Sequence, residues 1–103
     1  MCNEMWVVVP AYNEAASIGA TLAALGAQTD LDFALVVVDN SSTDGTGDVV
    51  GRIAATLPFD VEVVVERSPG AGAAADSGFR YAIRCGATML ARTDADCRPS
   101  PTW

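Results

Sequence analysis

The sequence contains no histidine and no lysine. Without an imidazole there is no triad with a histidine base, and no zinc site of the kinds that need one. Without a lysine there is neither a Walker phosphate loop nor Schiff-base chemistry. All six cations are arginine, set against thirteen acids, for a formal charge of −7 and a pI near 4.1. That balance repels phosphate backbones and anionic lipid headgroups, so nucleic acid is excluded as a partner bound by bulk charge. Cysteine is sparse: Cys2, Cys85 and Cys97 are odd in number, widely spaced and without a C-x-x-C pair. Such a set makes neither a disulfide framework nor a zinc knuckle, and reads as reduced thiols in a cytoplasmic setting. Uninterrupted apolar runs stop at five or six residues, whereas a bilayer span needs about 20. The N-terminus has no basic segment leading into an apolar run, so no signal peptide is read there.

What is present is a globular composition. Half of the 103 residues are apolar and 18% are charged, which suits a single domain over 1–103. Four β-rich runs, at 5–9, 33–38, 61–65 and 88–91, recur along the chain, the first three dominated by consecutive valines without in–out alternation. Such runs predict strands buried on both faces, as in a parallel sheet covered by helices.

Helical spacing fills the gaps. Ile18, Leu22 and Leu25 follow Asn13, a good N-cap, with Glu14 placed for the first turn. Val49, Ile53 and Leu57 repeat the spacing before Pro58, and Ala75, Phe79 and Ile83 do so before Gly86, a C-terminal cap. The order βαβαβαβ predicts an α/β three-layer sandwich with a mostly parallel sheet and right-handed crossovers, a Rossmann-like arrangement.

Ligands of such sheets bind beyond the carboxyl ends of the strands. Those ends gather the unusual residues: Pro10, Ala11, Tyr12, Asn13 and Glu14; Asp39 through Gly45; Glu66 through Gly72; and Asp94, Ala95, Asp96, Cys97 and Arg98. Pro10 is expected to end the first strand, because it lacks a ladder donor. Tyr12 suits stacking on a flat base or plain packing. Asp39 suits a ligand N–H or the backbone of its own turn, while Ser42, Thr43 and Asp44 suit helix capping. Gly70, Gly72 and Ala75 fit a loose G-x-G-x-x-A dinucleotide pattern, or a small-residue run that lets a helix approach a sheet closely. Asp94 and Asp96 flank one small residue. They form either a hard oxygen donor pair for Mg²⁺ or Mn²⁺, or a solvated acidic turn.

Taken together, residues 7–14, 36–46, 70–78 and 94–96 resemble the inverting family-2 glycosyltransferases of the GT-A fold, in order and spacing, over roughly residues 5–101. The resemblance implies a nucleotide-diphosphate sugar as donor and a glycosyl acceptor of unspecified kind. It places Pro10, Ala11, Tyr12 and Glu14 around base and ribose, Asp39 on the base, and Gly72 in the donor site. Asp96 would hold the metal, Mg or Mn, with Asp94 supporting ribose or metal. Two departures stand out within these motifs. Asn40 occupies a place where the family often has Asp. Ala71, Ala75 and Asp76 occupy places where it usually has a basic residue, Arg and Asn, so cationic help for the diphosphate falls to Arg67 or Arg98.

The acceptor surface and catalytic base are expected beyond Trp103, which makes this the donor-binding half of a longer enzyme. The resemblance also implies a location at the cytoplasmic face of a membrane, should the longer chain carry membrane helices. An uncovered edge at 88–91 would suit pairing into a homodimer. Two other readings stay open on the residues alone: a dinucleotide-binding oxidoreductase module, and a non-catalytic α/β unit.

Overall fold

A computed structural model describes residues 4–28 and 31–93. Seven elements alternate: β1 (Met5–Ala11), α1 (Ile18–Gly26), β2 (Ala34–Asp39), α2 (Thr46–Ala54), β3 (Val61–Val65), α3 (Ala71–Arg84) and β4 (Met89–Arg92). The strands form one parallel sheet in the order β3-β2-β1-β4. Alternate side chains of the two central strands feed two cores. Val7, Val9, Leu35 and Val37 meet Ile18, Leu22 and Leu25 of α1 and Val50 of α2. Trp6, Val8, Val36 and Val38 meet Ala74 and Ala82 of α3 on the other face. This is the three-layer sandwich that the unalternating valine runs predict, and β1 and β2 are buried on both sides.

Several local expectations are corrected. Pro10 does not end β1, which continues to Ala11 with Pro10 in register with Val38. The Val8 carbonyl accepts the Thr93 N–H from the β4 side. Two residues on, the ring nitrogen of Pro10 faces that same side, past the last β1–β4 pair, Val8 with Arg92, so its missing donor costs the β2 ladder nothing. β3 is not buried on both faces: Val63 and Val65 are 41% and 59% exposed, because β3 is an edge strand of the four and helices cover it only in part.

Asn13 is not the N-cap of α1, and Glu14 is not in its first turn. Ser17 holds the cap position, and a separate turn precedes it in which the Glu14 carbonyl accepts the N–H groups of Ser17 and Ile18. α2 stops at Ala54, short of Leu57. On α3 the face turned to the sheet is Ala74, Ala75, Gly78 and Ala82, while Ile83 is 57% exposed. A Cβ at Gly78 would lie 2.5 Å from Val8 Cγ1 and 2.9 Å from Val38 Cγ2. The close approach of the helix therefore selects a small-residue stripe at its centre, while Phe79 and Tyr81 pack against the edges of the same core and Ile83 turns to solvent. The helix end matches expectation: Gly86 (φ 93) is left-handed, and the Gly86 and Ala87 N–H groups reach the Ile83 and Ala82 carbonyls, a Schellman motif.

Candidate functional site at the carboxyl rim of the sheet

Parallel register brings the strand ends to one rim. Ala11 is paired with Asp39, and Asp39 with Val65. The chain leaves β4 at Thr93, hydrogen-bonded to Val8 of β1. Three loops described in full rise from this rim, and cross-bonds lock them together.

The first lock joins the β1–α1 and β2–α2 loops. Asn13, in the left-handed region at φ 49, donates its N–H to Ser42 Oγ (3.0 Å) and accepts the Thr43 N–H at Oδ1 (2.8 Å). The Glu14 N–H donates to Thr46 Oγ1 (3.0 Å), and the Ala15 N–H to Asp44 Oδ2 (3.1 Å). The fully buried Thr46 hydroxyl donates to Asp44 Oδ1. That bond is the main reason the Asp44 carboxyl sits below its ordinary value. Asp44 also accepts the Thr46 N–H as α2 begins (3.1 Å), but the cap position is Gly45 and carries no side-chain cap bond. Ser42 and Thr43 instead tie the loops to each other.

The second lock is Asn40, 7% exposed. Its backbone N–H donates to the Ala11 carbonyl (2.8 Å). Its Nδ2 donates to the carbonyls of Glu66 (2.8 Å) and Ser68 (2.7 Å), and its Oδ1 accepts the Gly70 N–H (3.1 Å). Two acceptors and one donor fix which end of the amide is nitrogen. Glu66 Oε1 accepts the Ser68 N–H (3.0 Å), the leading cause of its carboxyl lying below the ordinary value, with Ser77 and Ser68 side chains adding to it.

On this frame the expected site residues fall into three groups. Tyr12 and Asp39 present groups to solvent at the rim. Tyr12 is 58% exposed, which removes plain packing as its explanation. Asp39 is half-buried; its Oδ1 accepts the Ser42 N–H (2.9 Å), and its Oδ2 lies against the first turn of α2, 3.1 Å from where a Cβ on Gly47 would be. Among the described residues no donor reaches Oδ2.

Pro10, Ala11, Glu14 and Gly72 serve the frame or stand apart. Pro10 and Ala11 belong to β1, with the Ala11 methyl in the core. Glu14 Oε2 accepts the Ser17 hydroxyl (2.8 Å). Gly72 is exposed in the first turn of α3, and no heavy atom lies within 4 Å of a Cβ built there, so the helix does not require glycine at that position for packing.

Asp94 and Asp96, the expected metal ligands, and Arg98 lie outside the described residues. Among the described residues no group of three or more acidic or cysteine side chains converges to hold a metal. No helix among them is long and apolar enough to cross a membrane.

Asn13, Asn40 and Thr46 are the site-building residues that motif reading passed over. The signal available was their type: small polar side chains beside strand ends, able to bond backbone groups of a neighbouring loop.

Comparison with known proteins covers nearly the whole chain. The family model for glycosyl transferase family 2 matches residues 6–103. The undecaprenyl-phosphate mannosyltransferase of Micrococcus luteus is 36% identical over 91% of this chain and 38% of its own length. The mannosyltransferase PcManGT of Pyrobaculum calidifontis, solved with GDP-Man and Mn²⁺, is 32% identical with a TM-score of 0.71, over 90% of this chain and 27% of that one. Staphylococcus aureus TarS 1-349, solved with UDP, superposes with a TM-score of 0.82 at 23% identity over 96% of this chain and 29% of that one, a likeness of fold. The chain spans about a third of the length of the curated relatives it matches.

Proposed function

The chain belongs to glycosyl transferase family 2, and from that premise we propose that it forms the nucleotide-sugar-binding part of an enzyme that transfers a sugar from a nucleoside-diphosphate donor to an acceptor. The observation that carries this reading is the rim itself. Two cross-bonded loops hold Asp39 with one oxygen anchored and the other without a donor among the described residues, while an exposed Tyr12 stands on the adjoining loop. Asp39 Oδ2 accepts an N–H of the base and the Tyr12 ring covers its flat face. The fit to a pyrimidine or purine is a matter of one acceptor and one aromatic plane.

The sugar transfer breaks the bond between the anomeric carbon and the diphosphate oxygen and forms one to an acceptor oxygen, whose proton passes to a base. Asp96, with Asp94, would hold a divalent cation, since two carboxylates are the hard oxygen donors that Mg²⁺ and Mn²⁺ take. Such a cation supplies neutralisation of the charge that builds on the departing diphosphate. It also offsets the acidity of the rim, where Glu14, Asp39, Asp44 and Glu66 would otherwise oppose a diphosphate. The name of the M. luteus relative supports a polyprenyl phosphate as acceptor, and with it a site of action at a membrane face.

Calorimetric titration of the full-length protein with UDP and GDP tests the reading. One of the two is expected to bind with Mn²⁺ or Mg²⁺ present and to lose most of its affinity with chelator or in Asp96→Ala. Equal binding in chelator would refute the metal role, and binding of neither nucleotide would refute the donor site.

A further inference from the structure

The rim described above is acidic, and the positions where the family usually carries basic residues hold Ala71 and Ala75. A diphosphate there still needs a cationic partner from the chain. The other described arginines are placed elsewhere or otherwise engaged. Arg52 and Arg84 lie in the last turns of α2 and α3, at the end of each helix remote from the rim. Arg80 is paired with Asp76 across one helical turn, Nε to Oδ2 at 2.9 Å. Arg92 is the last residue of β4, but it pairs with Val8, three residues short of the level at which Ala11 meets Asp39. Arg67 alone among the described arginines sits in a rim loop, and it is exposed. No carboxylate among the described residues is within ion-pair distance of it. Its neighbour Glu66 spends Oε1 on the Ser68 N–H instead.

The backbone around Arg67 is held from both sides by one side chain. Asn40 Nδ2 grips the carbonyl of Glu66 before it and of Ser68 after it, at 2.8 and 2.7 Å, while Oδ1 takes the Gly70 N–H. Besides tying the β3–α3 loop to β2, this grip fixes the backbone on both sides of an exposed side chain. A residue that must meet a ligand gains from this, because ordering it beforehand removes an entropic cost from binding.

We propose that Arg67, among the described arginines, is a diphosphate-binding cation and that Asn40 is its positioning residue, a pairing that rests on the nucleotide-sugar reading. The carboxamide is essential to it. A carboxylate at position 40 has no hydrogen to donate and would turn a negative oxygen toward two carbonyls.

The test is a double-mutant cycle read by calorimetry on the full-length protein with Mn²⁺, using UDP and GDP as diphosphate probes and uridine and guanosine as probes without phosphate. Arg67→Gln is expected to weaken the diphosphate that binds by about tenfold, the equivalent of ~1.4 kcal/mol, and to leave the matching nucleoside unchanged. Arg67→Lys should recover part of the loss. Asn40→Ala should weaken the diphosphate in the wild-type background, and change it less than about twofold once Arg67→Gln is present, since coupled residues are non-additive. Arg67→Gln is an exposed change that leaves the fold intact, so the first arm stands even if Asn40→Ala fails to fold. Wild-type affinity in Arg67→Gln would overturn the cation role, and additive effects would overturn the positioning role. A wild-type protein that binds neither diphosphate would overturn the donor-site reading itself and this proposal with it.

Discussion

A methyl group added at position 78 tests how the third helix meets the sheet. Gly78 is in the middle of α3, where alanine is intrinsically favoured over glycine by about 1 kcal/mol. Against that, the new Cβ would stand 2.5 Å from Val8 Cγ1 and 2.9 Å from Val38 Cγ2, whereas carbon atoms in contact sit about 3.5–4.0 Å apart. Both valines are fully buried in the two central strands, so neither can swing away, and the helix must lift by about an ångström. Overpacking of that kind costs roughly 3 kcal/mol. The net loss is then about 2 kcal/mol, or roughly 8–16 °C in Tm for a domain of this size. Gly51→Ala is the control: it too is helical, but nothing lies within 4 Å of its added Cβ, so it should gain up to about 1 kcal/mol. Thermal and urea unfolding followed by circular dichroism would read both. A Gly78→Ala protein as stable as Gly51→Ala would refute the close approach, and with it the reason α3 turns its alanines inward.

Thr46→Val keeps the shape of a fully buried side chain but removes the acceptor of the Glu14 N–H and the donor to Asp44. Urea unfolding should show a loss of about 1–3 kcal/mol, and a change too small to measure would dismiss the loop lock. Asp44→Asn addresses acid stability. The Asp44 carboxyl is held below its ordinary value of 3.8, chiefly by the Thr46 hydroxyl. Its contribution is therefore complete above that pH and disappears as the pH falls through the lowered value. Stability of the wild type should fall more steeply than that of Asp44→Asn once the pH drops below about 3.8; parallel curves would contradict the lock's charge-assisted character.

The layer arrangement was legible because it depends on pattern over many residues. Consecutive valines mean burial on two faces, and β1 and β2 satisfy that in full. The same reasoning fails at Val63 and Val65 because pattern does not tell which of the four strands will lie at an edge. Ile83 departs from expectation for a related reason: spacing marks an apolar stripe, but the line of closest approach takes Ala74, Gly78 and Ala82, with Phe79 and Tyr81 beside it. At the rim, Asp39 and Tyr12 were recognisable by type and position. Asn13 looked like a helix cap, since asparagine before an apolar run often is one. Its partner, the Thr43 N–H, is remote in sequence, and only the folded chain brings the two together. Asn40 in the sequence is only a departure from a motif, yet its backbone and side-chain amides tie β1, β2 and the loop before α3.

The strand order has a consequence in time. β1 leaves the ribosome before the other three described strands and occupies an interior place among them, between β2 and β4. Its partner on one side arrives soon, but Met5 must wait for Met89, and Val8 for Arg92. Until then a nascent segment rich in valine keeps one flank of its backbone unsatisfied, a hazard for pairing with other unfinished copies. Synthesis rate and holdase supply should therefore govern the yield of native protein more than the equilibrium stability of the finished sheet does.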